Sequence, residues 1–270
     1  MRALAWRRPG IGLPGALLRA FAGLMVVWLL APILVVIPLS FTGKQSFEFP
    51  PTTWSTKWYH QLFTAPEWIE ALTHSIVIAL LVVVLAGVLG TACAFGLDRG
   101  VIPGKGIIRG LVLSPIIVPA VIVAVGVYLV FLPWHLAGHE LGFVLAHTAL
   151  AIPFVVISVS TSLAGFDRRL EQAAASLGAS PWSTFLRVTL PAIVPGIFAG
   201  AVLAFITSFD EVVTALFLST PTMRTLPVQM FDTINNVDPT IAAASTLVLA
   251  GTTVIVLLVL IFNRDVREGD

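Results

Sequence analysis

Two carboxylates stand side by side at Asp210-Glu211, within Thr207-Ser208-Phe209-Asp210-Glu211-Val212-Val213-Thr214, in a chain that is otherwise mostly hydrocarbon. Such a pair can attract a cation, relay a proton or accept backbone N–H bonds. Adjacent helical residues point about 100° apart, so one carboxylate can face a pathway while a neighbour holds the other. At membrane depth a charged group is costly and must face a cavity or a partner. A solute carrying ammonium groups would find its counter-charge at Asp210 and Glu211, with Ser208 beside them in the substrate pathway. Ser208 and Glu211 also have the spacing of a capping box ahead of the apolar run Val212–Leu218, which would break and restart the helix there. Pathway lining and capping are compatible if one residue does each job.

The remaining reactive side chains do not assemble into chemistry. His135 and His139 are four apart with Glu140 adjacent, but without a third positioned ligand they read as a polar turn, and no metal is expected. Cys93 is the single cysteine, so neither a disulfide framework nor a thiolate cluster is available. Gly104-Lys105-Gly106 lacks the upstream glycine and the following Ser or Thr of a phosphate-cradling loop. With no nucleophile paired to a base, no bond-breaking activity and no bound cofactor are expected of this chain.

A second polar island runs Leu170-Glu171-Gln172-Ala173-Ala174-Ala175-Ser176-Leu177-Gly178-Ala179-Ser180, preceded by Arg168-Arg169 and followed by Val188-Thr189-Leu190-Pro191. A helix over about 171–180 would align Glu171, Ala174, Ala175 and Gly178 on one side. Gly178 followed by Pro181 would end it. Its small side chains would let another protein approach the backbone closely, which makes this island a place for a soluble partner to grip.

The elements that position both islands are membrane spans. With 57% hydrophobic and 11% charged residues and a mean hydropathy of +0.98, the 270-residue chain reads as an all-α integral membrane protein. Charge-free windows run over 20–43, 71–97, 110–139, 141–166, 188–209 and 239–263. Each is long enough to cross a core of about 30 Å as a helix, so six crossings place both termini on one side. The basic start resembles a signal peptide, but the apolar run Phe21–Phe41 is too long and lacks a small-residue cleavage site, so it reads as a retained first span. Twelve of the 15 basic residues flank the same side, leaving Lys44, Lys57 and Arg224 for the other. That bias puts the termini and the 171–180 island in the cytoplasm. The expected layout is a basic tail over 1–19, a six-helix domain over 20–264 containing the loop 167–191, and a tail over 265–270. The five histidines fall on or near the outer side, and the arginines follow membrane flanks, which excludes a nucleic-acid groove. Gly196 and Gly200, four apart, predict a close helix-packing face.

The loop 167–191 resembles the coupling loop of bacterial ABC-importer permeases, whose pattern is Glu-Ala-Ala, three residues, Gly, nine residues, Ile, one residue, Leu-Pro. Gly178 and Leu190-Pro191 stand at the expected spacing with Val188 in the Ile position, while six before Gly178 stands Gln172 and Glu171 lies one step earlier. The family's carboxylate is therefore either replaced by an amide or supplied by Glu171. Phe49-Pro50-Pro51-Thr52-Thr53-Trp54, Trp58-Tyr59, the run from His147 to Pro153-Phe154-Val155, Phe166-Asp167 and Ser208-Phe209-Asp210-Glu211-Val212-Val213 look like the second permease of spermidine/putrescine-type importers.

The resemblance implies a type I ABC importer permease fold in the bacterial inner membrane. Its implied partners are a homologous second permease, an ATPase dimer that holds ATP and Mg, a periplasmic solute-binding protein and membrane lipid. It also implies ATPase coupling through Glu171, Gln172, Ala173, Ala174, Gly178, Leu190 and Pro191. Relatives that carry opines, 4-aminobutyrate or other amine-containing solutes look similar. An ion-coupled secondary transporter using Asp210 and Glu211 is the competing expectation, and broken helices in both halves would favour it.

Overall fold

A computed structural model describes residues 13–268. All regular secondary structure among them is helical, and strand-like pairing is confined to the isolated bridges Thr42 with Trp54 and Thr220 with Met223. Five helical segments are long and apolar enough to cross a membrane: Gly15–Ser40, Pro66–Arg99, Glu140–Ala164, Pro181–Phe209 and Thr240–Leu257.

The third expected crossing is not straight. α4 (Lys105–Ile117) and α5 (Ala120–Phe131) follow α1 (Leu13–Ser40), α2 (Lys57–Thr64) and α3 (Pro66–Arg99), and the pair is bent by 106°. Pro119 is the cause. Its ring disfavours helical geometry in the residue before it, and Val118 is extended at φ −72°, ψ 134°. The window 110–139 thus becomes a broken span or a re-entrant turn, and six crossings hold only if the bent pair counts as one.

The chain forms two compact units, one of residues up to Leu62 with Asn236–Val248, the other of Phe63–Asn235 with residues from Leu249 onward. In the first, α1 is apolar and largely exposed along its length. The segment after it folds back onto the end of α1. Trp58 Nε1 donates to the Thr42 carbonyl at 2.6 Å, Tyr59 Oη lies 2.7 Å from Ser40 Oγ, and the rings of Phe41 and Tyr59 are 5.1 Å apart. Of the aromatic residues in this segment, Trp58 is therefore used inside the fold, while Trp54 is exposed. In the same unit Asp238 Oδ1 accepts from the N–H and hydroxyl of Thr240, capping the start of the last helix.

The second unit is built on α3, α6 (Glu140–Ala164) and α9 (Leu190–Phe209), which pack on one another. Between α6 and α9 come α7 (Arg169–Ser176) and α8 (Pro181–Thr184). After α9 come α10 (Val213–Leu218), α11 (Leu226–Thr233) and α12 (Thr240–Glu268), the last shared between the units. Lipid is as apolar as a side chain, so close packing rather than exclusion from water must hold such helices together. Glycines supply the closeness. A Cβ on Gly200 would lie 3.0 Å from Val155 Cα, and one on Gly90 would lie 2.7 Å from Val155 Cβ. Val155, fully buried, is wedged between α3 and α9 at these two glycines. At Gly196 a Cβ would meet the Ser158 carbonyl and the Ser162 hydroxyl. The face expected at Gly196 and Gly200 is thus a packing face, and α6 is what packs on it.

Candidate functional site

Two polar clusters of the second unit lie at the two ends of α9, about 30 Å apart by its rise per residue.

At the N-terminal end stands α7. It begins two residues before the expected helix and ends at Ser176, four residues before 180. Gly178 is therefore outside the helix, in the left-handed region at φ +84°. The Ala179 N–H donates to the Ala174 carbonyl at 3.0 Å and the Gly178 N–H to Ala175 at 3.0 Å, the paired bonds of a Schellman stop. Expected alignment of Gly178 with Glu171 on one helical face is thus corrected: the glycine terminates the helix and does not line it. Gln172, Ala173 and Gly178 are exposed and Ala174 half-buried, and no residue of α7 is buried. Leu177 is 89% exposed.

Glu171 differs from its neighbours. Its Oε1 accepts from Arg99 Nη2 at 3.0 Å and from Thr189 Oγ1 at 2.6 Å. The carboxylate is engaged within the chain, and the outward position one residue on is filled by the amide of Gln172. Leu190 packs against the core while Pro191 is exposed. Ahead of Pro191 the helix widens into a π turn over Phe185–Thr189, with the Leu190 N–H reaching back to Phe185. A proline in a helix crowds the carbonyl four residues earlier, and the wider turn makes room.

At the C-terminal end the two carboxylates separate by role. Glu211 Oε1 accepts from the Thr214 N–H and Oε2 from the Ala215 N–H, both at 2.8 Å, so its side chain caps α10. Asp210 is exposed at the end of α9, and its carboxylate makes no hydrogen bond or ion pair among the described residues. Ser208 is not the partner in a capping box. Its hydroxyl lies 3.0 Å from His147 Nδ1, and His147 Nε2 lies 3.7 Å from Glu211 Oε2. The reason is packing: Ser208 sits on the α9 face turned to α6, where the fully buried imidazole meets it before any backbone amide can. His147, which the sequence reading names among the outer histidines and in the run resembling the family but gives no role at this site, is the side chain that lies between Ser208 and Glu211. Its signal was present, since it is the sole titratable group in the window 141–166.

Between the two ends, an open groove of about 1400 Å³ runs along α3 and α9 toward α7, with Val83, Gly87, Phe95, Ile197 and Ala201 on its walls and Arg99 and Glu171 at its foot. Among the described residues no group of three or more His, Cys, Asp or Glu could hold a metal.

Residues 86–268 match the family described as binding-protein-dependent transport system inner membrane component. The chain belongs to that family. It is 31% identical over 261 residues, 95% of this chain and 97% of the relative, to the spermidine/putrescine transport system permease protein PotC of Escherichia coli strain K12. It is 34% identical over 230 residues, 82% of each, to the putrescine transport system permease protein PotI of the same strain. In fold it is similar to a crystal structure of a bacterial ABC transporter involved in the import of the acidic polysaccharide alginate, with a TM-score of 0.70 at 19% identity, covering 93% of this chain and 95% of that one. As a member of this transport family the chain is a multi-pass inner-membrane protein and the permease component of an ABC importer, a channel subunit rather than an enzyme.

Proposed function

We propose that this permease forms half of a translocation pathway for polyamine-like solutes and is driven through α7 by a separate ATPase. The observation that carries the reading is α7 itself: a short, polar, wholly unburied helix with small side chains, set between two long apolar elements and closed by a glycine in a conformation other residues resist. A helix of that kind buries none of its side chains in its own core and suits the surface groove of a soluble partner. Its partners on this reading are a second, homologous permease, an ATPase dimer holding ATP and Mg, and a periplasmic binding protein. Both termini and α7 lie in the cytoplasm, in line with the distribution of Lys and Arg. When the ATPase closes, α7 moves and carries the attached spans between two packed arrangements, which opens the pathway to the other side.

The solute class is supported by the relatives PotC and PotI, whose names carry spermidine and putrescine, and by Asp210. Among the described residues that carboxylate is left without a hydrogen-bond or ion-pair partner while Glu211 is consumed in capping, so Asp210 is the counter-charge for an ammonium group and Ser208 and Glu211 shape the break that presents it. The structure adds a second helix break, at Val118-Pro119, which is a feature expected of ion-coupled carriers. Neither α4 nor α5 carries an acidic residue, however, so this break offers no cation relay.

Labelled putrescine, with 4-aminobutyrate as the amino-acid-like competitor, tests the proposal in proteoliposomes holding the four-component transporter. Uptake of putrescine that needs internal ATP and the binding protein supports it. Uptake that follows a proton gradient without ATP, or strong preference for 4-aminobutyrate, contradicts the driving or the solute part respectively.

A further inference from the structure

A helix of eight residues with no buried side chain has little of its own to hold it in place, because isolated helices this short are marginal. The contacts of α7 are accordingly polar. Glu171, in its first turn, receives two bonds on one oxygen: from Arg99 in the last turn of α3 and from the hydroxyl of Thr189, which is 1% exposed at the foot of α9. The Arg99 guanidinium lies 5.8 Å from the rings of both Phe95 and Phe166, and its side chain is 17% exposed. Arg99 Nε is also 3.3 Å from Asp98 Oδ2, the oxygen that accepts from Arg168 Nη2 at 3.0 Å. The residue just ahead of α7 is thereby tied to the same place as its first turn. Exposed ion pairs are weak, but this arginine is shielded by two rings, and its carboxylate partner carries a second, charge-assisted bond from a buried hydroxyl.

We propose that Arg99, Glu171 and Thr189 form a latch that sets the angle of α7 against α3 and α9. Glu171 is on this account a positioning residue turned into its own chain, and Gln172 is the one left facing outward. A push on α7 is then shared by two of the three core helices at once, instead of being lost in a loose loop. The functional side of this inference rests on the reading of α7 as the ATPase contact; the latch itself is a statement about this chain.

The test uses the assembled transporter in nanodiscs, in a Cys93→Ser background, with spin labels at Val101→Cys and Leu177→Cys, both highly exposed. Pulsed electron resonance should give one narrow distance in the parent. Thr189→Val keeps the shape and removes the hydroxyl, and Glu171→Gln removes the charge. Both should broaden the distribution and lower ATP hydrolysis by the assembly about ten- to hundredfold, the worth of one charge-assisted hydrogen bond. Thr189→Ser should restore both. Unchanged widths in the first two variants, or no recovery with Ser, overturn the latch. Capture of the ATPase subunit by the parent chain is scored alongside. Broadened widths without any capture sink the ATPase reading and uphold the latch.

Discussion

At Gly178 the backbone is left-handed although a Cβ would meet nothing within 4 Å, so the demand for glycine there is conformational and not spatial. A β-branched residue would resist that conformation by about 1–2 kcal/mol. Gly178→Val should therefore leave the amount of inserted chain unchanged and depress solute-stimulated ATP hydrolysis by roughly tenfold; an undiminished rate in vesicles would show that this stop does not matter for drive. Asp210 and Glu211, adjacent in sequence, should separate in their variants. Asp210→Asn should weaken uptake of a dication such as putrescine well beyond that of zwitterionic 4-aminobutyrate, with little change in melting. Glu211→Gln should act through the cap of α10, at a cost of about 1 kcal/mol, and lower the melting temperature of the purified transporter. Equal loss of both solutes in Asp210→Asn would mean that its carboxylate does not face the solute.

Among the elements, α9 carries the most. Its glycines let Val155 reach across, and the volume there is already filled. Gly200→Leu should overpack the α6 contact at a cost of about 1–3 kcal/mol or more, which for a chain of this size lowers the melting temperature by about 2–4 °C per kcal/mol. Gly126→Ala on α5, where a Cβ would meet nothing within 4 Å, is the matched control and should melt like the parent. This packing face was legible in the sequence because small residues four apart have one use between helices. The bend at Pro119 was not, since prolines inside a membrane span fit a kinked crossing and a re-entrant turn equally. The end of α7 was misplaced because a glycine stop sits just beyond the helix it closes. The pairing of His147 with Ser208 spans 61 residues, and no local pattern announces it.

For the molecule as a whole, five of the six expected crossings followed from length and apolarity, since the thickness of hydrocarbon sets both, while the sixth is the bent pair α4 and α5. The division into units did not, because residues 236–248 join a unit begun at the other end of the chain. Sidedness is a matter of charge distribution and can be checked in membranes: in a Cys93→Ser background, a cysteine at Ser176 should react with an impermeant maleimide only from the cytoplasmic side, and one at Trp54 only from outside. The most direct test of the account is a photo-crosslinking residue at Leu177, 89% exposed beside α7, in the intact inner membrane. The account predicts a single protein adduct that contains the nucleotide-binding subunit. Adducts with lipid alone, or none with a nucleotide-binding protein, would contradict it.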